Sequence, residues 1–361
     1  MHKIGFDLSV TDRVKTGTSV YAVNLFRALN HCSDEFEIVG LRSPKPFRRK
    51  NILTKFGNLF IELAWLYVIL PLQAWRLRLE LVHFPANIIS PALRLPQVCT
   101  IHDAHFITNP QGRDPLWRLY AKFSFRFAAR HANRIICDSN SGKAEIIEML
   151  GANSDNITVI PLGLPQRRPS ASARSTAAQF KPYILSVGAT DPNKNLSALI
   201  KAYSQLEQAG RQCGHNLVLA GPLGRDQAAL ESIVCQKGLD HHVKFLGQVS
   251  DPVLAALYEN ASIFVFPSFC EGFGFPPLEA MSYGVPVAAS NAPCIPETLG
   301  NAPLYFDPHN VDEIAEKMHE LMSNARLREK LSKAGSRRAA EFRWEDTAEK
   351  TRDVYKFLLD P

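Results

Sequence analysis

Residues 266–287 read FPSFCEGFGFPPLEAMSYGVPV. The run leading in, IFVF at 263–266, has the aromatic and β-branched make-up and the length of a buried strand. Gly272, Gly274, Pro276 and Pro277 then prevent a continuous helix between Glu271 and Glu279, eight positions apart. A helix starting near Pro277, a favoured first helical position, puts Glu279 in its first turn. PVAAS at 286–290 is the next strand. Strand, loop, helix, strand in this order implies a parallel sheet covered by helices. The glycines let the backbone N–H groups of Phe273, Gly274 and Phe275 approach a ligand, and the helix start adds partial positive charge. The turn therefore reads as a phosphate or diphosphate site. Two carboxylates beside such an anion repel it unless they hold hydroxyls, for which sugar and ribose are the obvious donors. The plainer alternative is a Gly/Pro turn with Glu279 complementing a helix dipole.

The same alternation extends outward in both directions. Towards the N-terminus, KIGFDL, EFEIVGL, LELVHF, PQVCTI, NRIICD and NITVIPLG read as strands. TSVYAVNLFRALN reads as a helix with Tyr21, Leu25, Ala28 and Leu29 on one stripe, and another helix runs from near Ser141 to Gly151. QRRPSASARSTAAQFKP, rich in Ser, Ala, Arg and Pro without periodicity, reads as an exposed linker over 166–181. The pattern then restarts with PYILSVG, NLVLAG and VKFLG as strands. LSALIKAYSQL, DPVLAALYENA and PLEAMSYG read as helices, and a charged helical tail follows from Val311. Two Rossmann-like blocks follow, over 1–165 and 182–343, with a ligand expected outside the carboxyl ends of the strands, in the cleft between domains.

Length and composition agree. A chain of 361 residues, 46% hydrophobic and 21% charged, is of two-domain size and excludes disorder. A net charge of +6 is too weak to argue nucleic-acid binding. Seven scattered cysteines without a C-x-x-C pair indicate neither a disulfide framework nor zinc, and no leader precedes KIGFDL, so a cytoplasmic location is expected. LFIELAWLYVILPL, 59–72, interrupted by Glu62 and closed by Pro71, is shorter than the ~20 residues needed to cross a bilayer. It reads either as a buried helix packed on a sheet or, between PKPFRRKN and WRLRLE, as an interfacial amphipathic anchor.

Glu271-x7-Glu279 within P-S-x-x-E-G-F-G-x-P-x-L-E-A-M resembles the signature of the retaining glycosyltransferase family 4, which includes mannosyltransferases and sucrose and glycogen synthases. The resemblance runs from Lys3 to the tail. It implies the GT-B fold: α/β, two Rossmann-like domains facing across a cleft, with a C-terminal helix (about 344–361) returning to the N-terminal, acceptor-binding domain. By resemblance, Glu279 takes the donor's ribose hydroxyls and Glu271 the sugar's. Gly272, Phe273, Gly274, Phe275, Ser268 and Leu278 complete that wall of the nucleotide-sugar site. PYILSVGATDPNKNLSALI resembles the family's phosphate-binding loop, with Gly188, Lys194 against the leaving diphosphate and Asn195 capping the helix. Taken alone, Lys194 reads as a solvated loop lysine. Many relatives place an arginine where this chain has Ala189 or Asn193, so neutralisation rests on Lys194, the backbone or Arg225. Gly221, Val249 and Leu254 would frame the base.

In the N-terminal half the resemblance assigns Gly17 to the glycine loop of VKTGTSVYAVNL, and Ser139 of Asp138-Ser139-Asn140-Ser141 to the donor's sugar side. His102 and Asp103 of VCTIHDAHF stand at the carboxyl end of a strand and are expected to be catalytic, the resemblance placing His102 against the transferred sugar, with His105 as the weaker partner. No Asp-x-Asp occurs, so no metal and no cofactor is expected beyond the donor itself. The donor implied is a nucleotide-diphosphate sugar, GDP-linked mannose or deoxyhexose before UDP-hexose. The acceptor is a lipid-linked oligosaccharide or polysaccharide of bacterial surface-glycan assembly, reached by peripheral attachment to the inner face of the cytoplasmic membrane. A nucleotide-sugar epimerase of the same fold, or a non-catalytic partner of an assembly complex, is the alternative. An oxidoreductase is disfavoured because KIGFDLSVTDRVKTG lacks G-x-G-x-x-G.

Overall fold

The computed structural model describes residues 1–12, 17–31, 35–45, 47, 52–104, 115–211 and 213–360. The chain divides into two compact units: residues 1–163 with 343–361, and residues 164–342. In the first, β1 (His2–Asp7), β2 (Phe36–Leu41), β3 (Leu81–Phe84), β4 (Gln97–Thr100), β5 (Arg134–Cys137) and β6 (Ile157–Val159) form one parallel sheet in the order β2-β1-β3-β4-β5-β6. In the second, β7 (Tyr183–Val187), β8 (Asn216–Ala220), β9 (Val243–Gly247), β10 (Ile263–Phe266), β11 (Val287–Ser290) and β12 (Leu304–Phe306) are likewise parallel, in the order β12-β11-β10-β7-β8-β9. Numbered within the unit, that order is 6-5-4-1-2-3, the Rossmann arrangement. Its direction reverses between β7 and β10, so the crevice for a ligand opens at the carboxyl ends of those two strands. Strands covered on both faces must be apolar throughout, and every residue of IFVF in β10 and VAAS in β11 is buried. The short edge strand β12, LYF, escapes a reading by pattern because three residues carry no period.

The first unit is closed by the chain's last helix, Trp344–Leu359, which packs against α1 (Gly17–His31), as the family resemblance implied. A buried polar relay fixes it there. The Tyr355 hydroxyl lies 2.6 Å from His83 Nδ1, while His83 Nε2 and the Tyr21 hydroxyl meet Thr100 Oγ1 at 2.8 and 2.9 Å. Burial pushes His83 down to about 3, which keeps its ring neutral.

Two expectations are corrected. α2 (Ile52–Ala64) continues through a π-turn, Trp65–Ile69, into α3 (Leu70–Leu77), so Glu62 and Pro71 do not interrupt the helix. The wide turn lies just ahead of Pro71, where an α-helical carbonyl would meet its ring. The 22-residue stretch Phe56–Leu77 is long and apolar enough to cross a bilayer by length and composition, and only 17% of its most apolar window is buried. Trp65, Leu66, Leu70 and Ala74 face the core, whereas Phe60 (72%), Leu72 (60%) and Trp75 (81%) stand exposed. The reading of a buried helix on a sheet therefore fails. The second correction concerns 166–181, which is no plain linker. Ser170 Oγ accepts from Ala173 N and starts a helix at Ala171–Ala178, whose Ala173 and Ala177 are buried. An alanine-rich stretch is a strong helix former once capped, even without an apolar period.

Candidate active site

The switch point of the second unit gathers most of the residues singled out from sequence. The loop after β7 carries Gly188 and Lys194, and the loop after β10 carries Ser268 and Glu271. The Phe269 N–H donates to the Asn193 carbonyl at 2.9 Å, pinning one loop to the other. Across this junction Lys194 Nζ donates to Glu271 Oε1 at 2.5 Å, with the two side chains 20% and 13% exposed. The ammonium and the carboxylate expected on separate parts of a donor are thus in direct contact. Gly188 lies against the aliphatic stem of Lys194, and a Cβ on Gly221 would sit 2.1 Å from the Gly188 carbonyl oxygen. Only glycine allows the loops after β7 and β8 to approach this closely.

Asn195 does not cap the following helix. It adopts a left-handed conformation (φ 52°), and its side-chain amide donates to the carbonyls of Pro267 (3.1 Å) and Pro308 (2.8 Å). Asparagine tolerates that backbone conformation, and its amide ties the β7 loop to the ends of β10 and β12. Arg225 is engaged by Asp191, with Nε 3.0 Å from Oδ1. The Ser268 hydroxyl is buried without a hydrogen-bond partner among the described residues.

The helix after Glu271 starts two residues earlier than expected, at Phe275. Gly274 takes the left-handed conformation (φ 92°) in front of it, and Pro276 and Pro277 occupy its first turn. Pro276 and Pro277 carry no N–H, so the donors left without an acceptor inside the helix at its start are the backbone N–H groups of Gly274 and Phe275. Glu279 is consequently in the second turn, not the first. Its side chain is buried with Leu278 on the same helix. Glu279 Oε1 accepts from Arg167 Nη1, and Oε2 accepts from the Tyr258 hydroxyl at 3.0 Å. Burial raises the Glu279 carboxyl above its ordinary range, while Arg167 and Tyr258 oppose that rise. Val249 follows β9, and Leu254 lies in the first turns of the helix Asp251–Asn260; both are half-buried. Asp251 of that helix reaches Arg167 Nε at 3.4 Å and so connects this loop to Glu279.

In the first unit His102 follows β4, and its partner is Asp138 after β5: Nδ1 and Oδ2 are 2.7 Å apart. Asp103 makes no hydrogen bond or ion pair among the described residues. Adjacent residues on extended backbone point apart, whereas neighbouring strand ends bring side chains together. Burial pushes the His102 imidazole down, but the Asp138 charge and hydrogen bond hold it above its ordinary value. Burial likewise raises the Asp138 carboxyl. The Tyr21 ring meets that of His102 edge-on at 4.7 Å, and His102 Nε2 is buried without a partner among the described residues. Ser139 Oγ accepts from Gly142 N at 3.0 Å and caps the helix Asn140–Glu145. Gly17 begins α1 with open space where a Cβ would stand. His105, and Val14 to Thr16 of the glycine loop except Gly17, lie outside the described residues.

Sequence reasoning missed Asp138, Arg167 and Tyr258. Asp138 stood in a quoted strand-end motif, and its position there was the available signal. Arg167 lay in a stretch read as linker, and nothing local marks which carboxylate it meets. Among the described residues no cluster of three or more His, Cys, Asp or Glu side chains could hold a metal ion.

Residues 168–338 match the family described as "Glycosyl transferases group 1", and residues 15–168 match "Glycosyltransferase Family 4". O-antigen chain mannosyltransferase B of Escherichia coli is 32% identical, over 79% of this chain and 77% of its own length. The serotype-specific mannosyltransferase WbdA of Escherichia coli is 30% identical over 74% of this chain, which spans 34% of that longer protein. Among solved structures, the sucrose-phosphate synthase of Thermosynechococcus elongatus superposes with a TM-score of 0.81 over 99% of both chains at 19% identity, a likeness of fold alone.

Proposed function

The chain belongs to glycosyltransferase family 4 and is a GT-B glycosyltransferase, and from that premise we propose that it transfers mannose or a related deoxyhexose from a GDP-linked donor, with retention, to a lipid-linked or polysaccharide acceptor in O-antigen assembly. The observation that carries the donor reading is the Lys194–Glu271 contact at the switch point. An ammonium there stabilises the charge that grows on the leaving diphosphate, together with the N–H groups at the start of the Phe275–Ser282 helix. Glu271, next to it, accepts hydroxyls of the sugar, and Glu279 accepts those of the ribose. The lysine and the amides supply leaving-group stabilisation from the protein itself. The sugar and the O-antigen context rest on the mannosyltransferase relative.

Attachment to the inner face of the cytoplasmic membrane belongs to the same proposal. α4 (Pro115–His131) lies beside α2 through a hydrogen bond from the Tyr120 hydroxyl to Glu62 Oε1, and adds exposed Leu119 and Phe123 to the apolar face of α2 and α3. Arg76, Arg118 and Lys122 are exposed on these helices, and Arg78 is exposed just past the end of α3. An apolar face edged by cations suits an anionic lipid surface. Trp65 and Leu70, packed in the core, hold the segment along the domain.

Thermal stabilisation by GDP, UDP, ADP and dTDP tests the donor; ligand at 100 times Kd adds about 2.7 kcal/mol. A shift selective for GDP and absent in Glu279→Ala is expected, followed by transfer of label from GDP-mannose to lipid-linked acceptor. A UDP-selective shift overturns the donor, and no shift overturns the site. Co-sedimentation with phosphatidylglycerol vesicles but not with phosphatidylcholine vesicles, abolished by Phe60→Ser/Trp75→Ser, tests the membrane face.

A further inference from the structure

Arg167 lies three residues after Leu164, where the second unit begins, yet its side chain is only 14% exposed. It is held at three points. Nη1 donates to Glu279 Oε1, Nε faces Asp251 Oδ1 at 3.4 Å, and its main-chain carbonyl accepts from the Tyr283 hydroxyl at 2.7 Å. The Tyr283 ring is stacked on that of Tyr258 (centroids 5.7 Å, 15° between planes), and Tyr258 in turn donates to the other Glu279 oxygen. The carboxylate is thus gripped from both sides by donors that are themselves braced. Each carboxylate oxygen retains a further acceptor site.

We infer that Arg167 is a positioning residue of the donor site, which holds Glu279 as an oriented anion so that both of its oxygens are ready to accept ribose hydroxyls. The inference rests on the assignment of Glu279 to the ribose. A buried carboxyl without a cation takes up a proton, and the proton both removes an acceptor and competes with the hydroxyls for the remaining ones. A guanidinium does not lose its charge at any working pH, so it keeps Glu279 ionised. The groups facing Glu279 are Arg167 from the entering segment, Tyr258 and Asp251 from the helix Asp251–Asn260, and Tyr283 beyond its own helix. Of these Arg167 alone is cationic, and Asp251 opposes it.

The test is the preference for GDP over 2′,3′-dideoxy-GDP, measured by calorimetry between pH 4.5 and 8.5 on the full chain. The native protein prefers GDP by about tenfold or more, as expected for hydrogen bonds to a charged acceptor, with little change above pH 6 and a fall below it as Glu279 takes up a proton. Arg167→Gln loses most of that preference at pH 6.5 and regains it as pH rises and Glu279 ionises; Arg167→Lys, which keeps the charge, restores it. Asp251→Asn changes an exposed side chain and keeps the protein folded whatever becomes of Arg167→Gln. With the opposing charge gone, its preference persists to lower pH than in the native protein. A merely structural role for Arg167 weakens both nucleotides equally and without pH dependence, and that result, or no pH displacement in Asp251→Asn, overturns the inference. Glu279→Gln separates the two layers. If it retains the full preference, the ribose assignment fails and the inference with it; if it loses the preference while Arg167→Gln keeps it at every pH, the inference alone is overturned.

Discussion

Replacing Glu271 by Gln should tighten the binding of a free nucleoside diphosphate while abolishing most of the transfer reaction. In the unliganded protein Lys194 Nζ is 2.5 Å from Glu271 Oε1, so an incoming diphosphate meets an ammonium already engaged and a carboxylate of its own sign. For a phosphate charge about 6 Å from the carboxylate, the repulsion is about 0.7 kcal/mol at the dielectric of water and about 2.8 kcal/mol at an effective dielectric of about 20. Side chains 20% and 13% exposed lie between those limits, which corresponds to a Kd for GDP lowered by about tenfold. Freeing Lys194 acts in the same direction. Transfer should nevertheless fall by about a hundredfold or more, because the amide no longer accepts sugar hydroxyls as an anion does. Calorimetry with GDP, at a low and a high salt concentration, and initial rates with the nucleotide sugar supply the two readings. Tighter GDP binding that fades as salt rises is the expected signature. A Kd raised in Glu271→Gln would refute the reasoning, since it would mean that the carboxylate orients Lys194 for the phosphate more than it competes with it.

Asp138→Asn should lower the His102 pKa, because burial, the largest influence, is then opposed mainly by the weaker Asp103 charge. In the native protein the raised value stabilises the fold below about pH 6.5, an effect lost as pH rises through the raised pKa; the variant should lack that dependence. Ring-proton NMR titration gives the pKa, and an unmoved His102 would contradict the pairing. Tyr355→Phe should cost about 1–3 kcal/mol, by leaving His83 Nδ1 buried without its partner. Faster amide exchange in β3 and β4 measures the loss, and unchanged exchange would show that the relay does not hold the last helix. His83, depressed to about 3 by burial, has the opposite sign from His102: its contribution is complete above about pH 6.5 and falls by about 1.4 kcal/mol per pH unit as acid approaches the folded value. A His83→Gln variant should lose that slope.

The twofold βαβ pattern, the positions of ten or more strands and the order of the phosphate loop and the E-x7-E turn were legible along the chain. Each of those is local: period, length, glycine and proline placement act within about ten residues. What lay between neighbours in space was not legible. Asp103 stands next to His102 in the chain, yet Asp138, from the adjoining strand, is its partner. Asn195 has a capping residue's identity, but its amide is drawn to Pro267 and Pro308 by the convergence of three strand ends. The run from Phe56 to Leu77 is apolar whichever way it faces, and only packing decides that Trp65 and Leu70 go inward while Phe60 and Trp75 remain outside. Arg167 is the furthest case, a linker residue by composition whose partner lies 112 positions away. Sequence by itself therefore determined the class of fold, the family and the residues able to carry charge at the strand ends, because backbone propensities and motif spacing are short-ranged. Tertiary structure alone decided which charges meet, since a parallel sheet brings together the ends of strands that are distant in the chain.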